Sequence, residues 1–321
     1  MSLAEFSLID RIRARTRDRA DIVLGIGDDA ALLQPQNGQH LVVTADTLNS
    51  GVHFPPETAA ADIGWKTLAV NLSDLASMGA TPAWCTLALS LPSAEADWID
   101  AFSEGFFALA DAHDIVLIGG DTTRGPLSLS VTAMGQVSAG GGLRRDGARV
   151  GDEIWVSGTL GDAAVALRAW QAGTLDVAHA ADDARVEFLR QRLARPTPRV
   201  ALGRALVGVA HSAVDVSDRL LADRGHVCVR SGVGARIDPA RLPLSAAARA
   251  RVGEAHAREA ALRGGDDYEL CFTAPVERHT AVAALADRLG VPLTPIGEII
   301  AGRGVNAEGH ERDAPGYEHF L

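Results

Sequence analysis

AAADIGWKTLAVNLSDLASMGATPAWCTLALSLP, residues 59–92, holds two kinds of apolar spacing in one stretch. From Ala59 to Met78 the apolar residues recur at helical intervals, and Gly79 stands where helices commonly end on a left-handed residue. From Ala83 the run AWCTLALSLP is short and apolar almost without a break, which reads as a buried strand. A helix that delivers the chain straight into a buried strand belongs to a layered α/β or α+β domain.

The same alternation continues outward. Upstream, Glu5 to about Arg17 places Phe6, Ile9 and Ile12 at helical spacing. The apolar run DIVLGIG then ends in the acidic turn Asp28-Asp29, and HLVVTADT is a β-branched strand ending at Asp46. Downstream, Glu95 to His113 reads as a helix, IVLIGGDTT as a strand opening into a Gly-rich turn, and LSLSVTAMGQV as an alternating strand. Ser138 to Asp152 concentrates glycine and charge between two apolar strands, so the expected domains are residues 1–138 and 153–321, with a linker at 139–152. The second half begins on the strand EIWVSG. Helices are expected at Gly161–Ala172, Ala184–Ala194 and Arg199–Ala210, and the apolar runs YELCFTAP and TPIGEII alternate with further helices.

Composition narrows the chemistry. The chain has 321 residues, 47% of them hydrophobic, enough for two packed cores. Its formal net charge of -11 disfavours a nucleic-acid or anionic-membrane partner, since both depend on surplus positive charge. Cys85, Cys228 and Cys271 each lie in or beside apolar runs without metal or redox spacing, and read as buried thiols in a reducing compartment. The N-terminus lacks the pattern of a leader, no later run is apolar enough to span a bilayer, and a cytoplasmic location is expected. Lys66 is the single lysine, and it lacks the Gly-rich loop of a P-loop. Any phosphate chemistry must rest on metal ions, arginine and backbone N–H groups.

Aspartates recur where apolar strands run into small-residue turns: GIGDDAA, VVTADT, IGGDTT, AVDVSD and RGGDDYE. One Gly-Asp pair is ordinary turn chemistry. Five at strand ends suit a metal–nucleotide site, because magnesium takes oxygen ligands from carboxylates and substrate phosphates, while adjacent glycines let backbone approach a phosphate. Asp74, in AVNLSDLASMGA, differs by sitting inside a helical pattern, where an aspartate ordinarily faces solvent.

EFSLI, GIGDDAA, ADTL, GVHF, AVNLSDLASMGA, IGGDTTRGPLS, DVSD, GGDDYELCFT and GYEHF, in this order across nearly the whole chain, resemble the thiamine-monophosphate kinases of the aminoimidazole-ribonucleotide-synthetase-like superfamily. The resemblance implies an N-terminal mixed sheet with helices that dimerises and a C-terminal α/β sandwich. It further implies a homodimer, with ATP and several magnesium ions at the subunit junction and thiamine monophosphate as phosphoryl acceptor. Carried over by position, Asp29, Thr44, Asp46, Asp74, Asp121, Asp215 and Asp218 match metal-binding positions, with Asp28 adjacent. Gly120, Asp121, Arg145 and Ser217 match nucleotide contacts, and His53, Asp266 and Tyr317 match contacts to the thiamine substrate. Asp46, Asp121 and Arg145 would then carry catalysis. The acceptor phosphate is already ionised near neutrality and is itself the nucleophile, so no strong general base is required.

The chain departs from the family pattern at four places. Arg219 follows Ser217-Asp218 where relatives have glycine, and Arg224 stands where they tend to be apolar. Ala45 replaces a frequent hydroxyl residue, and Asp266 a usual glutamate. Two readings are open at Arg219: strain, if the position needs φ > 0, or a guanidinium aimed at phosphate. The rival functions are another ATP-using branch of the superfamily, and a non-catalytic nucleotide-binding dimer whose site has lapsed. Against the selenophosphate-synthetase branch stands the lack of an N-terminal reactive cysteine, and against the hydrogenase-maturation branch the lack of a C-terminal one.

Overall fold

The computed structural model describes residues 5–307 and divides into two units, each with its own sheet. The first takes in the described residues up to Leu75, Ala80–Gly140 and Val177–His179; the second takes in Ala76–Gly79, Gly141–Asp176 and the described residues from Ala180. Tyr317 lies outside the described residues.

The first unit runs α1 (Glu5–Arg13), β1 (Ile22–Leu24), β2 (Leu32–Leu33), β3 (Gln39–Asn49), α2 (Ala60–Ser77), β4 (Thr81–Leu91), α3 (Ala96–Ala112), β5 (Val116–Arg124) and β6 (Ser128–Ser138). Its main sheet has the order β3-β6-β4-β5, antiparallel except for the parallel β4/β5 pair. Period-two alternation sorts the faces. Thr44, Asp46 and Leu48 share one face of β3 with their register partners Ala133, Val131 and Leu129 of β6, and α2 lies on that face, with Leu75 against Gly135. The opposite face leaves Leu41, Val43, Ala45 and Thr47 exposed. Helices α2 and α3 meet backbone to backbone. A Cβ on Gly64 would stand 2.0 Å from the Phe102 carbonyl oxygen, and one on Gly105 would stand 1.8 Å from that of Ala61, so glycine is required at both. As the helical spacing predicts, a left-handed Gly79, φ 69°, follows the end of α2 at Ser77.

The second unit runs β7 (Asp152–Ser157), α4 (Asp162–Gln171), α5 (Ala184–Ala194), α6 (Val200–Leu206), β8 (Ser212–Asp215), α7 (Leu220–Ser231), β9 (Gly234–Ile237), α8 (Ala246–Arg263), β10 (Leu270–Pro275), α9 (His279–Leu289), β11 (Leu293–Ile300) and β12 (Gly304–Ala307). Its sheet order is β12-β9-β11-β7-β10-β8, antiparallel apart from β12/β9. Helix α7 lies against β8, β9 and β12, helix α9 lies against β10 and β11, and α4, α5 and α8 pack together. Across β7/β10 the paired Trp155 and Phe272 rings stack with centroids 6.5 Å apart. The expected helix Arg199–Ala210 is shorter than its apolar pattern: α6 ends at Leu206, and the chain turns through Gly208 at φ 77°. Among the described residues no helix is long and apolar enough to cross a membrane. All three cysteines are buried free thiols.

Candidate functional site

In the first unit the candidate residues lie within strands, in the turn before β2 and on the buried flank of α2; β3 runs on past Asp46 to Asn49 and β5 past Asp121 to Arg124, so neither strand ends at its aspartate as the sequence pattern predicts. Thr44 and Asp46 point to the helix-covered face, and Asp74 projects from α2 toward it, where the Thr44 hydroxyl donates to Asp74 Oδ2. The helical aspartate therefore faces the sheet rather than solvent, and it forms a hard-oxygen pair with a threonine two residues before Asp46. Ala45 points the other way, so a hydroxyl residue there would project onto the open face.

The register also separates residues that the sequence groups together. Asp46 pairs with Val131, Val131 with Leu87, and Leu87 with Gly120, so Asp46 and Gly120 end one row on the two edge strands. Three strand spacings make that roughly 14 Å. Asp121 sits one residue along β5, in register with Ala88, Ser130 and Thr47, and is exposed. Gly120 has a steric reason to be glycine, since a Cβ would lie 1.9 Å from the Leu87 carbonyl oxygen. Asp28 and Asp29 are exposed between β1 and β2, and the Asp29 N–H donates to Asp28 Oδ1 at 2.8 Å. Among the described residues no three His, Cys, Asp or Glu side chains already form a metal cage.

His53 lies in a tight turn beyond β3. The Asn49 N–H donates to His53 Nδ1 at 2.9 Å, so in the neutral ring the proton sits on Nε2. Lys66, from α2, donates to the His53 carbonyl at 3.1 Å and is itself only 2% exposed. In the sequence Lys66 stands out by excluding a P-loop, whereas in the fold it serves the His53 carbonyl. A lone lysine inside an apolar helix was the available signal that it serves a buried acceptor.

In the second unit, β8 ends at the buried Asp215, and the chain then presents half-buried Ser217 and exposed Asp218 before α7. Arg219, the N-cap of α7, has φ −169°, an extended conformation open to any residue, so the structure removes the strain reading. Asp223, which sequence reasoning passed over, organises this loop by accepting the N–H groups of Asp218 (3.2 Å) and Arg219 (3.1 Å). Burial pushes its pKa up to about 7 against the lowering effect of those N–H bonds and of Arg145. Asp223 stands in the first turn of α7, where a carboxylate is favoured by the unsatisfied N–H groups. Arg145 is exposed, and its carbonyl accepts the Ser231 hydroxyl at 2.8 Å.

Asp266 packs beside the same loop. Its N–H donates to the Ser217 carbonyl at 2.8 Å, and a Cβ on Gly265 would stand 2.4 Å from the Asp218 carbonyl oxygen. Asp266 and Tyr268 both have positive φ, 68° and 51°, and the Tyr268 hydroxyl donates to Asp266 Oδ1 at 3.0 Å. The second unit thus gathers Ser217, Asp218 and Asp266, with Asp215 at the strand end.

Arg224 stands in α7 and is fully buried. Its Nη1 is 4.0 Å from Cys271 Sγ, while Nε and Nη2 have no hydrogen-bond partner among the described residues.

With this geometry in view, the comparisons with known proteins are specific. Residues 27–137 match the model of the AIR synthase related protein N-terminal domain, and residues 149–310 match that of the C-terminal domain. The chain is 47% identical to thiamine-monophosphate kinase of Escherichia coli (strain K12) over 326 aligned positions, covering 100% of this chain and 99% of that one. It is 68% identical to the crystal structure of thiamine-monophosphate kinase from Stenotrophomonas maltophilia K279a, with a TM-score of 0.92 over 97% of this chain and 99% of that one. AaThiL complexed with AMPPCP and TMP matches at 32% identity and a TM-score of 0.79, covering 100% and 99% of the two chains. The chain belongs to the thiamine-monophosphate kinase family of AIR synthase related proteins.

Proposed function

We propose that the chain transfers the γ-phosphoryl group of ATP to thiamine monophosphate by direct in-line displacement, giving thiamine diphosphate and ADP. The observation that carries this reading is the similarity, over the whole length of both chains, to AaThiL, whose structure holds AMPPCP and TMP. AMPPCP is ATP with a methylene in place of the β,γ-bridging oxygen. An acceptor phosphate oxygen attacks the γ-phosphorus, the bond to the β,γ-bridging oxygen breaks, and ADP leaves with that electron pair.

The donor chemistry fits magnesium. The candidates of the first unit, Asp29, Thr44, Asp46, Asp74 and Asp121, offer only oxygen, and magnesium commonly takes one or two carboxylates and completes its shell with phosphates and water. A ready-made three-carboxylate cage is therefore not required. Asp215 and Asp218 supply the same donor type in the second unit. When bound, the metal would neutralise phosphate charge. The chain's own groups have separate tasks: Gly120 leaves backbone bare beside Asp121, Arg145 presents an exposed fork to phosphate, and Ser217 contributes a hydroxyl. His53 and Asp266 orient the thiamine moiety, and Tyr317 belongs to the same assignment.

A homodimer is part of the reading. Leu41 and Val43 are 48% and 55% exposed on the uncovered face of the first sheet, an apolar strip that a second copy would cover. Residues 1–138 serve metal and ATP binding and dimerisation, 139–152 are linker, and 153–321 add nucleotide and substrate contacts.

A magnesium-dependent assay with ATP and thiamine monophosphate, following thiamine diphosphate by chromatography, tests the proposal. Equimolar thiamine diphosphate and ADP are expected. ATP binding without thiamine diphosphate would overturn it in favour of a sister activity or a lapsed site.

A further inference from the structure

The segment Gly265–Glu269 faces two ways. Asp266 and Tyr268 carry left-handed φ values that residues other than glycine rarely adopt, and between and beyond them Asp267 and Glu269 are wholly buried. Each buried carboxylate holds a fixed set of donors. Asp267 Oδ2 accepts the Gly161 N–H at 2.6 Å, at the start of α4. Glu269 accepts from the Ser157 hydroxyl at 2.5 Å and from a two-pronged Arg199, at 2.6 and 2.5 Å. Arg192, 8% exposed, reaches across both. Its Nη1 is 3.2 Å from Glu269 Oε1, and its Nη2 donates at 3.1 Å to the backbone carbonyls of Asp267 and Thr159.

The main chain is tied down on its other side as well. The N–H groups of Asp266 and Tyr268 donate to the carbonyls of Ser217 and Val216, and the Val216 N–H donates to the Glu269 carbonyl, all between 2.8 and 2.9 Å. Asp266 is half-buried, and the Tyr268 hydroxyl, 3.0 Å away, fixes one oxygen of its carboxylate. Two left-handed residues on either side of Asp267 form a sparsely populated backbone conformation, which persists where its surroundings over-determine it. Here the surroundings are the Arg192 guanidinium on the Asp267 carbonyl and the Ser217 and Val216 carbonyls that accept the Asp266 and Tyr268 N–H groups, while the Tyr268 hydroxyl holds the Asp266 carboxylate.

We propose that Tyr268 and the buried Arg192 are positioning residues for Asp266, Tyr268 by orienting its carboxylate and Arg192 by clamping the backbone that carries it. The proposal rests on the reading that Asp266 contacts thiamine monophosphate. It assigns to the GGDDYE motif a division of labour in which one acidic residue meets substrate while its buried neighbours fix the turn.

The test is steady-state kinetics with KM measured separately for thiamine monophosphate and for ATP, on Tyr268→Phe, Arg192→Lys, Asp266→Ala and each of the first two combined with Asp266→Ala. Tyr268→Phe removes only a hydroxyl, and its KM for thiamine monophosphate should rise about three- to tenfold while that for ATP holds. Arg192→Lys keeps the charge but loses the fork, and should move the same constant in the same direction. In the Asp266→Ala background neither should raise that KM further, since a residue acting through Asp266 has nothing left to act on. Single substitutions that leave KM unchanged while Asp266→Ala raises it would overturn the positioning role, as would effects that multiply in full with Asp266→Ala. If Asp266→Ala itself leaves KM unchanged, the substrate reading of Asp266 has failed first and the proposal falls with it. Should Arg192→Lys fail to fold, the Tyr268→Phe pair alone still decides.

Discussion

The candidate carboxylates of the first unit and the buried charge cluster of the second differ in how accessible they are. In the first, Asp28 and Asp29 stand exposed in a turn and Asp121 stands exposed within β5, while Asp46 and Asp74 are half-buried at the edge of a helix-covered sheet. In the second, Asp162, Asp267 and Glu269 lie sunk around Arg192, with Arg199 on Glu269. An exposed carboxylate can exchange water for a metal or a phosphate-bound cation at little structural cost. A buried one is committed to its donors, and removing a partner leaves an uncompensated charge. The difference teaches that a Gly-Asp pair does not reveal its role by composition. GIGDD and RGGDD look alike, yet one ends in solvent and the other in a charge cluster.

The strongest way to break the comparison is to cut the buried cluster. Arg199→Met removes the two-pronged partner of Glu269, whose pKa burial would raise but whose bond to Arg199, with the nearby Arg192, holds it low. Stability should fall by about 3–5 kcal/mol, read as a lower urea midpoint. A loss under about 1 kcal/mol would mean that the second unit's charges are as exchangeable as those of the first.

In the first unit the effect should invert, large on turnover and small on stability. Asp121→Asn keeps the shape of an exposed side chain, so the melting temperature should hold within a degree or two. Magnesium-dependent kcat/KM should drop about 10²-fold or more, equivalent to roughly 2.7 kcal/mol. Normal magnesium-dependent turnover in Asp46→Asn, Asp74→Asn and Asp121→Asn alike would show that these carboxylates are not ligands.

Much of this contrast was readable from the residues. Alternation and helical spacing give the first unit almost element by element, because its strands are half-buried and its helix α2 is capped by a glycine that must be left-handed. The recurrence of acidic turns suits a metal–nucleotide site, while the individual candidate ligands, Thr44 and Asp74 among them, come from the resemblance to the family. Register, however, is a long-range property: that Asp46 and Asp121 occupy opposite edge strands depends on β6 and β4 inserting between them, which no local pattern encodes. The roles of Asp223, Asp267 and Lys66 were hidden for a similar reason, since each is defined by a distant or backbone partner. The Arg219 conformation was open because a relative's glycine at a position does not by itself establish that the position needs positive φ.

Arg224 sharpens the comparison from the other side, as a buried charge with two donors that lack a hydrogen-bond partner among the described residues. Replacing it with leucine trades desolvated N–H groups for apolar packing. Arg224→Leu should therefore stabilise the protein by about 1–3 kcal/mol, seen as a raised urea midpoint. Destabilisation of that size would show that the guanidinium's contact with Cys271 is worth more than its burial costs.

A smaller effect distinguishes the units by pH. Burial pushes Asp267 from an ordinary 3.8 up to about 7, with Arg192 opposing the rise. Between those values the folded chain holds a proton that the unfolded chain has released, so this residue's stabilising contribution is complete below about pH 4 and is lost as pH climbs to about 7. Asp267→Asn should flatten that decline, by at most about 1.4 kcal/mol per pH unit, in urea midpoints taken from pH 4.5 to 7.5. An unchanged slope would place the titration elsewhere, Asp223 being the other aspartate raised to about 7.

The smallest change is expected at Arg219. Its backbone is extended and its side chain makes no N-cap bond, whereas the loop is held by Asp223 through backbone N–H groups that any residue supplies. Arg219→Gly should therefore shift stability by no more than about 1 kcal/mol, glycine being well tolerated at an N-cap while adding unfolded-chain entropy. Turnover should stay within about threefold. A KM for ATP that rises tenfold with the melting temperature unmoved would instead make the guanidinium a phosphate contact, and would add to the second unit a charge that acts on substrate rather than on the fold.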